Sequence, residues 1–198
     1  SDLEHKFIDF SNLSNQGDYI IITDSMLRKS KAGDAIENYK QYRSSPAGGI
    51  FKVLVADVSQ ITDQFAYGIK KHPLGLKKFI QYANLFFKPK NILLIGKGVT
   101  YDQARINESS VYANKLNLVP TFGSPASDHI LASNDLGPIA QIPIGRLSVI
   151  NGDELNAYLE KLKQHEELMS TASSYQTVDK KGWTKKDRKS TRLNSSHV

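Results

Sequence analysis

The chain has 198 residues, 39% of them hydrophobic, no cysteine and a formal net charge of +6. That length allows one domain with a real core, and the missing thiols exclude disulfides, thiolate metal sites and a cysteine nucleophile within these residues. Lys180–Val198 holds five Lys, two Arg and one Asp, so the whole excess sits there and residues 1–179 are neutral; a basic tail on a neutral body is no nucleic-acid partner surface, which the domain itself would have to carry.

No apolar run approaches the roughly 18–20 residues of a membrane span. No signal peptide is present, and the chain opens Ser-Asp-Leu rather than with Met. That opening fits a piece of a longer precursor.

Residues 1–17 read as a polar entry segment with the character of an edge strand, and residues 18–170 as one α/β unit. Asp18-Tyr-Ile-Ile-Ile-Thr23 is the first clear strand, β-branched and apolar. Thr23-Asp24-Ser25 supplies capping residues, and the spacing of Ala35, Ile36, Tyr39 and Tyr42 predicts a helix from about Met26 to Tyr42. Ser44–Gly49 has turn chemistry. Phe51–Asp57 is the second strand, and Ser59 to about Ile69 a short helix. Pro73 suits a first helical position. Leu76, Phe79, Ile80, Ala83, Phe86 and Phe87 then follow the spacing of a buried helix face, ended by Pro89.

Asn91-Ile-Leu-Leu-Ile95 is apolar on both faces, as expected of a central parallel strand covered by helices on each side. Thr100–Leu118 reads as a long polar loop. Val119–Phe122 reads as a short strand, and Ile139–Leu147 as a further strand that Pro143 confines to an edge or a bulge. Asn151-Gly-Asp-Glu154 resembles a capping box. It opens a last helix with a core stripe of Leu155, Tyr158, Leu159 and Leu162, reaching about Met169. The alternation predicts a three-layer, Rossmann-like α/β fold with a mostly parallel sheet. Residues 171–186 read as the start of a following segment. Asp187–Val198 has no core pattern and resembles the translation of a sequencing adaptor, or else a natural disordered tail; the fold reading leaves it out.

In such sheets the chemistry sits at the carboxyl ends of the strands, so Gly96–Asp102 is expected to be one wall of a site. Gly96-Lys97-Gly98 reads either as a nucleotide-binding turn or as a tight strand exit needing glycine at unusual φ. The third glycine of the dinucleotide pattern is replaced by Tyr101, and no P-loop is present. Asp102 reads as a turn cap, with a cation ligand as the alternative. Ser127-Asp128-His129 tempts a catalytic reading, but adjacent residues seldom form a working dyad. Asp128 is the expected N-cap of Ile130–Ala132, with His129 partly exposed. Arg146 is placed to pair with a carboxylate at a sheet end, or to make a surface ion pair. Lys70-Lys71-His72 and Lys77-Lys78 read as a solvated helix face. The five His make no zinc-ligand spacing.

Several stretches carry a resemblance when taken together, in order and spacing. They are Asp18–Thr23, Gln64-Phe-Ala-Tyr-Gly68, Asn91–Gly96 with Tyr101-Asp102, Val119–Phe122, Ala126-Ser-Asp128, and Ile142-Pro-Ile-Gly-Arg-Leu147 with Glu154-Leu155. Over roughly residues 15–170 the chain resembles the gingipain family of cysteine peptidases, and within it the PorU-like type IX secretion system sortases of Bacteroidota. The resemblance implies a caspase-like fold, of which only the first subdomain is present. It implies peptide-bond cleavage or transpeptidation of secreted proteins by a Cys–His dyad. The implied location of the parent is the cell surface, outer membrane or extracellular space. Protein or peptide substrates and other secretion components are the implied partners. No cofactor is implied for this chain, and calcium is possible in the full-length parent. The family places its His and Cys after the Gly-Arg-Leu segment and its following helix, so both are expected downstream of Lys186. No residue here matches them, and the fragment is expected to be inactive. Two other readings stand beside this one: a non-catalytic α/β protein-binding module working through Thr100–Leu118, and a nucleotide-binding enzyme centred on Gly96.

Overall fold

The structure, a computed structural model, describes residues 7–107, 109–123, 126–135, 137 and 139–171. The expectations for residues 172–198, including the adaptor-like tail, lie outside the described residues.

β1 (Tyr19–Thr23) is buried at all of its positions, which is why its sequence shows no polar alternation. After it, Asp24 accepts the Met26 N–H and caps a single 3-10 turn, Ser25–Leu27. A hairpin of β2 (Lys29–Ser30) and β3 (Gly33–Asp34) follows, and only then α1 (Ala35–Ser44). The helix expected from Met26 therefore begins nine residues later. Gly33 stands at φ 88°, which turns the chain, and the Asp34 carboxylate accepts the N–H groups of Ile36 and Glu37, both at 3.0 Å. That cap starts the helix where those amides would otherwise be unpaired.

β4 (Val53–Asp57) leads into α2 (Val58–Phe65), capped by Asp57. α3 (Pro73–Phe86) begins at its proline, and its cap is His72, whose Nδ1 accepts the Leu74 N–H at 3.2 Å. β5 is Asn91–Ile95 as expected. The stretch read as a long loop instead contains α4 (Tyr101–Ile106) and α5 (Val111–Leu116). The Thr100 hydroxyl starts α4 by accepting the Gln103 N–H. β6 is only Ile144–Leu147. Pro143 has no N–H for a ladder and stands just before the strand, while its carbonyl accepts the Ile92 N–H at 2.9 Å. α6 (Gly152–Thr171) starts with Asn151 Oδ1 accepting the Glu154 N–H and Glu154 Oε2 accepting the Ile150 N–H, each at 2.9 Å.

The main sheet has the order β4-β1-β5-β6, with every pairing parallel. β1 runs between β4 and β5, so the chain leaves it first to one side and later to the other. That places a topological switch point at the carboxyl ends of β1 and β5. Ile20, Ile22, Leu54, Ala56, Ile92 and Leu94 face a core shared with α2, α3 and Leu131. Tyr19, Ile21, Val53, Val55, Leu93 and Ile95 face the other, built with α1 and α6. The molecule is thus three layers, helices on both faces of a parallel sheet, consistent with a caspase-like fold.

Residues 7–17 form no edge strand. They carry a 3-10 turn, Leu13–Asn15, and send Phe10 into the core, its ring centroid 4.8 Å from that of Phe79. Val119–Phe122 is no strand either, apart from a single bridge between Thr100 and Thr121. Lys77 is not on a solvated face: its side chain is 13% exposed, bonded to Asp135 at 3.2 Å and set over the Phe122 ring.

Candidate functional site

The carboxyl end of β5 breaks off at Gly96, whose φ of 138° is open to glycine and strained for any other residue. From there the chain leaves the sheet but stays hydrogen-bonded to its neighbours, the Lys97 N–H donating to the Val149 carbonyl at 3.0 Å. Lys97 O accepts the N–H groups of Leu118 and Val119, at 2.9 and 3.1 Å, and Asn117 Oδ1 accepts the Val99 N–H at 3.2 Å. Gly98 is needed for close approach, since a Cβ there would lie 2.6 Å from the Val119 carbonyl oxygen and 3.0 Å from Arg146 Nη1.

Arg146, on β6, closes this corner. Its Nε and Nη2 donate to the two carboxylate oxygens of Asp128, at 2.8 and 2.7 Å. Nη1 donates to the carbonyls of Gly96 and Val119, at 2.8 and 2.7 Å. Nη2 also reaches the Pro120 carbonyl at 3.3 Å. All five N–H bonds of the planar guanidinium are thereby used, and the side chain is only 11% exposed. The pairing with a carboxylate at a sheet end is the arrangement expected, but it is not a surface ion pair.

The candidate residues converge only in part. Gly96, Gly98, Asp128 and Arg146 meet in one hydrogen-bonded corner. Tyr101 and Asp102 open α4 beside it, and Asp102 is exposed in the first helical turn. Thr100 does the capping expected of Asp102. Asp128 is no N-cap: it begins the 3-10 segment Asp128–Ala132 after Ser127, and its carboxylate is spent on Arg146. It cannot also orient His129, which is exposed. Sequence reasoning missed the acceptors in this corner, the carbonyls of Val119 and Pro120. Backbone oxygens carry no residue-type signal, and only the abrupt glycine exit opposite a lone strand arginine hinted at them. It also missed the contact of Lys71 with Asp24, 3.6 Å, which ties the loop before α3 to the carboxyl end of β1.

Chemically the corner is a clamp. It holds three backbone segments at the sheet's carboxyl end, and it contains no nucleophile beside a base. Among the described residues no group of three or more His, Asp or Glu is placed to hold a metal ion, and no helix is long and apolar enough to cross a membrane.

The family model of Peptidase family C25 matches residues 12–187. The chain belongs to peptidase family C25, the gingipain family. Among curated proteins no relative matches. Among solved structures, the crystal structure of dimeric latent PorU from Porphyromonas gingivalis is similar to this chain, with a TM-score of 0.56 and 19% identity. The likeness covers 73% of this chain and 15% of that one, so this C25 chain spans a small part of the length of that protein. At such identity the likeness speaks for the fold, and it agrees with the parallel three-layer architecture described above.

Proposed function

We propose that this chain is the non-catalytic supporting unit of a C25 cysteine endopeptidase or type IX secretion sortase, acting on secreted proteins at the cell surface or outside the cell. The reading assigns the Cys–His dyad to polypeptide beyond these 198 residues. One observation carries it: a chain matched over residues 12–187 by a cysteine peptidase family contains no cysteine. Thiolate attack needs a thiol and a His to take up and return its proton, so that chemistry has to be supplied from elsewhere. The Arg146 clamp supports the reading, because it stiffens the sheet end against which a catalytic unit would pack without offering a reactive group. Protein or peptide substrates and other secretion components belong to this proposal as partners, and calcium belongs to it for the full-length parent.

The test is the reading frame past codon 186, expressed together with this unit. The expected continuation has a His-Gly and a later Cys, and changing that Cys to Ser abolishes peptide cleavage. A continuation lacking either residue, or hydrolysis of peptides by the 198-residue chain alone, overturns the reading.

A further inference from the structure

The segment between α2 and α3 closes α2 with a left-handed turn, in which the Gly68 N–H donates to the Thr62 carbonyl at 3.1 Å and the Ile69 N–H to the Ala66 carbonyl at 2.9 Å. Tyr67 stands at φ 53° and Lys71 at φ 53°, with Gly68 at φ 75° between them. A left-handed tyrosine is unfavourable relative to glycine or asparagine, and burial does not offset the cost here: Tyr67 is 90% exposed. The Lys78 amine lies over the ring, 5.4 Å from the centroid. Leu74 and Lys78 are four residues apart on α3 and so share a helix face. Leu74 and Ile69 are also exposed, at 42% and 51%. The result is an exposed aromatic–aliphatic patch on the segment that Lys71 ties to Asp24 at the switch point.

The charge around the patch is positive. Lys70 and Lys78 are exposed and form no ion pair with a carboxylate among the described residues. Lys71 is matched by Asp24. Asp63 lies under Gly68, its Oδ1 3.9 Å from where a Cβ would be. His72 adds no charge: its Nδ1 accepts the Leu74 N–H, and burial together with the nearby Lys78 pushes its imidazole below the usual range. Two exposed lysines that form no ion pair with a carboxylate among the described residues therefore flank an apolar anchor point.

We propose that the surface formed by Tyr67, Ile69, Lys70, Leu74 and Lys78 is a docking site for an acidic polypeptide segment that carries large apolar side chains. The ring and the two aliphatic side chains take the apolar anchors, and the lysines take the carboxylates. A tyrosine side chain has few rotatable bonds and so loses little conformational freedom on binding, as expected of an interface anchor. The site does not depend on where the Cys–His dyad lies, so its failure and that of the peptidase reading are separate results.

The test is fluorescence anisotropy of the intact chain with a labelled twelve-residue peptide, Glu-Leu-Asp-Phe repeated three times, against a version with Lys and Arg in place of its acids. The acidic peptide is expected to bind about tenfold tighter or better, with an affinity that falls as salt rises. Tyr67→Asn keeps a residue that tolerates positive φ while removing the ring, and should weaken binding about fivefold or more. Lys70→Glu with Lys78→Glu should reverse the charge preference, and Lys161→Glu on α6 should change neither value. Amide shifts on titrating the unsubstituted chain should cluster at residues 67–78, which decides the matter even if a variant fails to fold. Equal binding of both peptides, no binding, or shifts mapping elsewhere overturns the proposal.

Discussion

Arg146 and Asp128 meet in a two-pronged pair, 2.8 and 2.7 Å, and the same guanidinium holds the carbonyls of Gly96, Val119 and Pro120. One side chain thereby fastens β6, the exit from β5 and the segment after α5. Removing it strands a carboxylate and several half-buried acceptors, which costs more than the pair itself contributes. Arg146→Met should lower unfolding free energy by about 3–4 kcal/mol. Asp128→Asn keeps one acceptor and should cost about 1–2 kcal/mol. Urea unfolding of both variants and the double variant checks this, and strictly additive losses would show that the pair is not coupled.

The glycines at this corner should rank by the space around them. Gly98→Ala meets a carbonyl oxygen at 2.6 Å, and Gly96→Ala meets Leu118 and Val119 at 3.0 Å while also standing at a φ of 138°. Each should destabilise by about 1–3 kcal/mol. Gly145→Ala, with nothing within 4 Å, should be neutral or slightly stabilising. Thermal unfolding of the three variants gives the order, and equal losses at all three sites would refute it.

Asp34 is the cap that decides where α1 begins. Burial by itself would raise its carboxyl, but the Glu37 amide and the Arg28 guanidinium outweigh that and hold it below the usual range. A lowered folded-state value means the contribution is complete above the unfolded value of about 3.9 and lost as pH falls through the folded value. Asp34→Ala should cost about 1 kcal/mol at pH 7. That difference from the unsubstituted chain should shrink as the pH is lowered below 4, read by thermal melts across the acid range.

The Tyr42 hydroxyl donates to Glu166, which also receives Arg43 at 3.0 Å. Burial and the Glu166 carboxylate push the Tyr42 phenol up to about 12. A raised value stabilises the fold below the unfolded value of about 10 and is lost as pH climbs through 12. Absorbance at the phenolate band should therefore show a class of tyrosines still protonated at about pH 11. Tyr42→Phe should remove one of them, and simultaneous ionisation of all the tyrosines near pH 10 would contradict the arrangement.

The strands were legible because their signal is local. The consecutive apolar positions Tyr19–Ile22 and Ile92–Ile95 leave no polar face for solvent, as expected of strands lying between two helical layers. Pro73 marked the start of α3 and the Asn151–Glu154 box the start of α6, since a cap is written in neighbouring residues. The start of α1 was misplaced because the apolar spacing of Ala35–Tyr42 extends plausibly backwards, and only the β2–β3 hairpin shows that Lys29–Asp34 is spent on another turn. Thr100–Leu118 was read as loop because α4 and α5 are six residues each, too short for a periodic stripe to emerge from a polar sequence.

Family membership and the absence of a thiol were present in the order of residues alone, since motifs in register and a missing residue type need no coordinates. The assembly of the Arg146 corner was decided only on folding. Its partners come from residues 96, 119, 120 and 128, three of them through backbone oxygens that every residue possesses. The sheet order that brings them together reflects packing across the whole chain, and no local pattern encodes it.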